Sequence, residues 1–492
     1  MTNEQEEQGG AFPTFCALPR NLWRAFCWLW RKTWRFILGL LALLIVAHTI
    51  FNFIAGRRLE AELQKIRASG APLTLTEAAP PQMPDAENAA LLYLEAFKEM
   101  KAPPYAPEAV GGKAPPESEL EPVYEFIAPS PRKPRPSLAE VAAIIDRHEK
   151  GFRLLEQASR RPACRFPVNW EAGAAALFPH LAAMRAATRF LVAKALVDAK
   201  RGRSAEAMKD LAIIIRMTNH ISADPTLIAA LARIACTAIM FRPLPEILSA
   251  AAPTEAESRA LYDLLTEVDT RGPFVHAMQG ERCFGLWGFD HVRKAGPKEF
   301  FGSEDYPHWS GILSRRWLWR ILRPLWKPFL KLDEVFYLNY MQAQIALAAK
   351  PYAQSRQGYE RLEKMLKQVP WYAILSRIMS PVFSRAHQKQ EELSAMLGLM
   401  RAALALRAYQ VENGAYPASL EELRARGGWP FPDDPFTGRP FIYRREGKGY
   451  LIYSVGADLS DDEGISLKEA LAARRHPGPP PKNYDISLRM SR

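Results

Sequence analysis

Residues 36–55, FILGLLALLIVAHTIFNFIA, form an apolar run interrupted only by His48, Thr49 and Asn52. A helix rises about 1.5 Å per residue, so a run of this length spans a hydrocarbon core of about 30 Å. In the preceding NLWRAFCWLWRKTWR, Trp23, Trp28, Trp30 and Trp34 alternate with Arg24, Arg31, Lys32 and Arg35. Interleaved indoles and cations suit a lipid headgroup layer, whereas a buried core helix has no use for such flanks. The pattern therefore predicts a transmembrane helix. The run is longer than a signal peptide's apolar core and starts far from Met1, which points to an uncleaved signal anchor. Arg57, Arg58, Lys65 and Arg67 follow the run, so positive charge flanks both ends and the charge rule barely sets a direction.

Beyond residue 57 the pattern becomes that of water-exposed helices. Residues 57–68 continue the rod as a charged helix. PDAENAALLYLEAFKEM reads as an amphipathic helix with Asp85 capping its first turn. Residues 101–136 are proline-rich and poor in large aliphatics, which predicts a linker or surface loop. Helical periodicity returns over 137–270. There, AKALVDAKRGRSAEAMKDLAIIIRMTNHISADP resembles one tetratricopeptide-type helical hairpin. Small Ala195, Ala199 and Ala207 face each other, Gly202 lies in the turn, and Asp224-Pro225 opens the next helix. No second copy follows at that period, so a generic helix pair fits equally well. PTLIAALARIACTAIMF, residues 225–241, is short and carries Arg233, so it reads as a core helix rather than a second span.

Residues 309–331, WSGILSRRWLWRILRPLWKPFLK, are rich in Trp, Arg and Lys. They suit either a segment lying in a membrane interface or an ordinary core segment, with Pro324 and Pro328 breaking the helix near its end. Helices are predicted next over 333–350, 355–368, 371–382 and 385–413, the last stopped by Asn413-Gly414. Ser419 with Glu422 opens a short capped helix, 439–445 and 449–455 form a hairpin around EGKG, and Ser466 with Glu469 caps another helix.

This ending resembles the globular end of type II secretion major pseudopilins. Tyr409, Asn413, Gly414, Tyr416 and Pro417 match that family's turn after its long helix. Asp434, Pro435, Gly438, Pro440 and Tyr443 match its second turn, and Tyr453, Ser454, Gly456, Ala457 and Asp458 its last strand. The resemblance implies a helix-plus-hairpin fold and an acidic loop able to bind calcium, with Asp458, Asp461, Asp462 and Glu463 as ligands. Calcium takes 6–8 oxygens, so clustered acids and backbone carbonyls are suitable material; the spacing is not that of an EF-hand, and a solvated acidic turn is the simpler reading of the cluster, with calcium the alternative. Pseudopilins carry their membrane segment in the same long helix and begin with a processing site. Here the apolar run lies far upstream without one, which argues against filament assembly by that family's route.

The chain has 492 residues, enough for several domains and a sizeable core. Its net charge of +12 favours anionic partners such as lipid headgroups, or is simply a solvated basic surface. No nucleic-acid module is recognisable, so nucleic acid is not an expected partner. Cys16, Cys27, Cys164, Cys236 and Cys283 are scattered without metal-ligand spacing, leaving room for one bridge among the last three. No hydrolase, metalloprotease or phosphate-loop motif occurs. One stretch, HAMQGERCFGLWGFDH at 276–291, gathers His276, Glu281, Arg282, Cys283, Asp290 and His291. It is either an enzyme site of unknown reaction, needing a base beside the thiol, or a buried Glu-Arg pair in a helical core.

The expectation is a mainly α-helical, membrane-anchored protein closed by a small α+β domain. Its parts are a cytoplasmic tail (1–35), the membrane helix (36–55), juxtamembrane helices and a Pro-rich linker (56–136), a helical domain (137–384) and a pseudopilin-like domain (385–492). The expected role is binding or scaffolding at the extracytoplasmic face of the inner membrane of a bacterial envelope, with membrane lipids and other envelope proteins as partners. Alternatives are a component of a secretion or pilus-like apparatus, or the enzyme centred on 276–291. Apart from calcium, no cofactor is implied.

Overall fold

A computed structural model describes residues 20–102, 120–129, 133–295, 316–380, 383–472 and 484–490. The tail before residue 20, most of the proline-rich stretch and residues 309–315 of the Trp-rich segment lie outside the described residues. In chain order come α1 (Arg20–Ala68), α2 (Leu75–Ala78), α3 (Ala89–Glu99), α4 (Leu120–Ile127), α5 (Leu138–Arg147) and α6 (Glu149–Ser159). After a 3-10 turn at Trp170–Ala175 follow α7 (Pro179–Lys200), α8 (Ser204–Ile221), α9 (Leu227–Phe241), α10 (Leu244–Ala251), α11 (Glu255–Thr266) and α12 (Arg271–Ala295). The second half holds α13 (Arg316–Ala348), α14 (Tyr352–Lys367), α15 (Ile374–Met379), α16 (Phe383–Asn413), α17 (Leu420–Arg426) and α18 (Leu467–Ala472). A small antiparallel sheet, in the order β1-β2-β3, is built from β1 (Ile442–Glu446), β2 (Gly449–Ser454) and β3 (Ile486–Met490).

The α7–α8 hairpin lies at the centre. Ala195, Ala199 and Ala207 are buried between its helices, and Gly202 takes a φ of 74°, a left-handed turn that a side chain would strain. Core helix α9 packs across both, with Cys236 and Met240 buried. Helix α16 buries two faces. One rests on α9 and α11 and the other on the sheet, where Gly398 lies against Phe441 and Pro432. One hydrophobic cluster thus runs from Tyr93 on α3 through Leu196 and Leu404 to Met490 on β3, across the expected boundary at 384/385. A second cluster joins Ile66 at the foot of α1 to Phe274 and Phe289 of α12 and Tyr337 and Met341 of α13.

Several local expectations are overturned by partners far away in sequence. Asn88, not Asp85, caps α3: its Oδ1 accepts from Ala90 N at 3.0 Å while also accepting from Arg165 N at 2.9 Å. Thr226 caps α9, because Asp224 is bonded to His180 Nε2 at 2.7 Å. Within the expected linker, Leu120–Ile127 is helical and buries Val123 and Phe126. Helix α13 runs on through Pro324 and Pro328 instead of breaking there. The hairpin gains a third strand, since β3 returns from the end of the chain to pair with β2. Cys164, Cys236 and Cys283 are all free and buried, so no bridge forms among them.

Helix α12 meets its neighbours through glycine. A Cβ on Gly280 would collide with the carbonyl oxygen of Pro225, a backbone atom with no room to retreat. Overpacking of this kind costs about 1–3 kcal/mol. Gly280→Ala is therefore expected to lower the thermal midpoint by several degrees, whereas Gly39→Ala, with nothing near it, leaves the midpoint unchanged or raises it. Thermal unfolding of the detergent-solubilised chain checks both.

Candidate functional site

Three features in the structure carry chemistry: the seam between α1 and α13, a cavity beside α12, and the acidic loop. The seam accounts for two of the three polar positions in the apolar run, and the third is satisfied within α1. Thr49 returns its hydroxyl to Ile45 O within its own helix at 2.8 Å. Asn52 accepts from Lys331 Nζ of α13 through both its side-chain oxygen (2.9 Å) and its carbonyl (3.2 Å). His48 Nε2 donates to Pro324 O at 3.0 Å. That carbonyl is special. In a helix it would accept from the amide four residues on, but residue 328 is proline and has no N–H. Phe51 meets Phe329 edge-on at 5.4 Å on the same seam, and Ala55 is fully buried.

Away from the seam, α1 is bare. Thr33–Ala68 is one helix long and apolar enough to cross a membrane, with a mean hydropathy of 2.4 in its most apolar window and none of that window buried. Phe36, Leu43, Ile45 and Phe53 are each more than half exposed, as are Trp28 and Trp34 before them. On α13, Trp326 and Phe329 join Trp371, from the turn before α15, in an edge-to-face cluster with centroids 5.0–6.4 Å apart. Trp371 is 68 % exposed and Leu325 is 56 % exposed. Trp371 was invisible to sequence reading because only the tertiary fold brings it to α13.

The six residues of 276–291 fan out around α12 instead of converging. His276 is half-buried, and burial lowers its pKa. Asp290 pairs with Arg293 and Lys294 at 3.6 and 2.6 Å, and His291 stacks on Trp287 with centroids 4.9 Å apart. Arg282 is buried, yet its partner is not Glu281: Nη2 donates to Pro72 O at 2.8 Å. The expected Glu-Arg pair is therefore absent. Cys283 Sγ donates to the same carbonyl at 3.4 Å, and burial pushes its thiol up to about 12. A thiol so held is protonated at neutral pH, with the Glu77 carboxylate adding to the rise, the opposite of an activated nucleophile.

Glu281 alone of the six reaches a cavity. About 320 Å³ opens between the 3-10 turn, the start of α9, α12, α13 and the α15–α16 junction, walled by Phe178, Phe284, Tyr337, Met379 and Phe383. Oε1 accepts from Leu227 N at 2.9 Å, and Tyr337 Oη donates to the Glu281 carbonyl at 2.9 Å. Burial raises the carboxyl's pKa, with the Leu227 bond opposing. Other histidines serve structure: His180 pairs with Asp224, and His387 bridges Tyr359 and Glu391 at 2.7 and 3.2 Å.

In the C-terminal module the motif residues interlock. Buried Asp434 accepts from Phe436 N at 3.0 Å and from Ser454 Oγ at 2.8 Å, tying the first turn to the end of β2. Tyr443 Oη donates to Pro417 O at 2.8 Å, and Asn413 Nδ2 donates to Tyr409 O at 2.9 Å. The acidic loop is organised by a residue that sequence reading missed. Asp485, just before β3, accepts from Asp462 N (3.1 Å) and Gly464 N (2.8 Å) through one oxygen. Asp461 Oδ1 accepts from Tyr453 Oη and Glu463 N, both at 2.9 Å, and Asp458 Oδ1 from Ser460 N at 3.1 Å. Asp485 Oδ1 and Asp462 Oδ2 are buried without a hydrogen-bond partner, oxygens that a hard cation would satisfy. Among the described residues no three His, Cys, Asp or Glu side chains converge as a metal site, so a cation here would also draw on backbone carbonyls.

The seam allows a decisive double-mutant cycle. His48→Ala strands the Pro324 carbonyl and is expected to cost about 1–2 kcal/mol. Pro328→Ala supplies the missing amide, so in that background His48→Ala costs close to nothing. Thermal midpoints of the four detergent-solubilised proteins measure the coupling.

Comparison of the chain with protein families, with curated proteins and with solved structures finds no match.

Proposed function

We propose that the chain is a single-pass membrane protein of a bacterial inner membrane, anchored by α1, whose helical body rests on the extracytoplasmic face. There it binds or scaffolds other envelope components rather than catalysing a reaction. One observation carries this reading: every polar side chain of the apolar run is satisfied by α13 or by its own helix, so the rest of the rod offers only hydrocarbon to its surroundings. The Trp326–Phe329–Trp371 cluster beside Lys327 and Lys331 supplies aromatic and cationic groups suited to a headgroup layer. The pseudopilin-like ending favours the outside of the cytoplasm.

On this reading the protein resists carbonate extraction. A phosphatase reporter fused after Arg492 is active, and a β-galactosidase reporter there is not. Release by carbonate, or the reverse reporter pattern, would discard the placement.

Calcium at the acidic loop belongs to the same proposal. Neighbouring Asp462 and Asp461 add to the burial that raises Asp485 to about 6, from an unfolded value of 3.8. Between those pH values the folded state keeps a proton that the unfolded chain has lost, so stability falls as pH rises through the window. The loss is of order 1 kcal/mol once solvent screening is allowed for. Asp210, Asp333 and Glu334 shift in the same direction, so the difference made by Asp485→Asn isolates the loop. In chelator the midpoint of the wild-type chain is expected to drop more between pH 4 and 7 than that of Asp485→Asn, and millimolar calcium removes the excess. A calcium-insensitive profile would eliminate the site and leave the anchor untouched.

A further inference from the structure

We infer that the cavity over Glu281 binds an amphiphile with a protonated amine head and an aliphatic body, taken up at the bilayer surface. The source of the ligand rests on the membrane placement proposed above; the chemistry of the site does not.

The first argument is the state of the carboxylate. Acids buried elsewhere in the helical body have a cation, a histidine or several donors: Asp198 and Asp210 share Lys194, Glu334 holds Arg293, Asp224 holds His180, Glu391 has His387 and Arg271 although its Oε2 lacks a hydrogen-bond partner, and Asp333 accepts from Leu375 and Ser376. Glu281 has none of these and is the acid that lines the cavity. Its Oε1 has one backbone donor, its Oε2 has no hydrogen-bond partner, and no cation pairs with it among the described residues. An unmatched carboxylate on a cavity wall is complementary to a cationic donor and repels an anionic head.

The second argument is the shape and lining of the cavity. Five apolar or aromatic side chains wall a volume of about 320 Å³. At ~30 Å³ per water-sized group this admits roughly ten non-hydrogen atoms, the size of a medium-length alkylamine. Third, the mouth has an apolar lip. Leu177, Ile228 and Ile378 are 80 %, 58 % and 45 % exposed, and each is a lining residue or adjoins one in sequence. Along α13, Tyr337 of the cavity follows Trp326 of the aromatic cluster by about three turns, roughly 16 Å. A chain leaving the headgroup layer reaches the lip over that distance.

The test uses the full chain in lipid nanodiscs and, separately, in detergent, with decylamine carrying a terminal diazirine as the probe. Photolabel is expected on peptides containing Ile228, Phe284 and Met379, competed by decylamine at least tenfold better than by decanol or decanoate. Glu281→Gln keeps an acceptor for Leu227 N–H; it is expected to weaken decylamine at least tenfold and leave decanol unchanged. Ala176→Phe, at the lip, is expected to block labelling of the cavity by the probe. Equal competition by amine and carboxylate, unchanged amine affinity in Glu281→Gln, or label confined to α1 and residues 323–331 would overturn the assignment. Labelling of the cavity in detergent by a protein that carbonate strips from membranes would uphold the site and remove its bilayer source.

Discussion

A proline inside α13 leaves one carbonyl without its amide, and the relation of the rod to the body depends on how that carbonyl is satisfied. Pro328 takes the N–H from Pro324 O, and His48 returns a donor from α1. Lys331, one turn further along, closes on Asn52. Phe51, Phe329 and Ala55 pack beside these polar contacts on the same seam. Leaving that carbonyl unpaired costs about 1–2 kcal/mol, so the donor from α1 favours this one docking of rod on body. Below the seam, Ile66 of α1 enters the cluster formed by α12 and α13. The same two helices wall the cavity, so the rod, the body and the site share one frame.

How much of this could be read from the sequence follows the range of the interactions. The apolar run, the α7–α8 hairpin with its facing alanines and Gly202, and the β1–β2 ribbon are each specified within a few dozen residues. The misses are long-range. Asp85 and Asn88 are equally good caps locally, and Arg165 selects Asn88. Pro324 and Pro328 read as breakers because the donor that rescues the helix sits on α1. Strand β3 has no hairpin turn to announce it, since its partner lies beyond α18. Asp485 carries no motif and matters only because β3 brings it under the acidic loop. Glu281 was visible as a residue, but its isolation from Arg282 was not: the two adjacent side chains leave α12 in different directions, one to Leu227 and one to Pro72.

The buried charges divide into two kinds. Lys194 with Asp198 and Asp210 lies between α7 and α8, and Arg293 with Glu334 lies between α12 and α13. Pairs of this sort fix which faces meet, because sliding either helix leaves a charge unpaired in a poorly solvated place. Glu281 and the Asp462–Asp485 pair fix nothing by comparison. Asp462 and Asp485 each leave a buried oxygen without a partner, Glu281 has a single backbone donor, and they border a loop and a cavity rather than a helix–helix contact. Unmatched polar groups cost stability, so a fold retains them most readily where something else completes them.

The ending is closed by local contacts among its turn and strand residues. Asp434 bonds both the turn that follows it and Ser454 at the end of β2, and Gly438 and Gly456 take φ values of 68° and 71° that side chains resist. A long helix that must receive a short ribbon on one face needs this closure, whatever lies upstream. The opposite face of α16 is then free to carry something else, and here it carries α9 and α11. These turn and strand residues are accounted for as the solution to a packing problem. What the protein does has to be sought where that solution does not apply: at the bare rod, at the seam that holds it, and at the unpaired carboxylate beside the cavity.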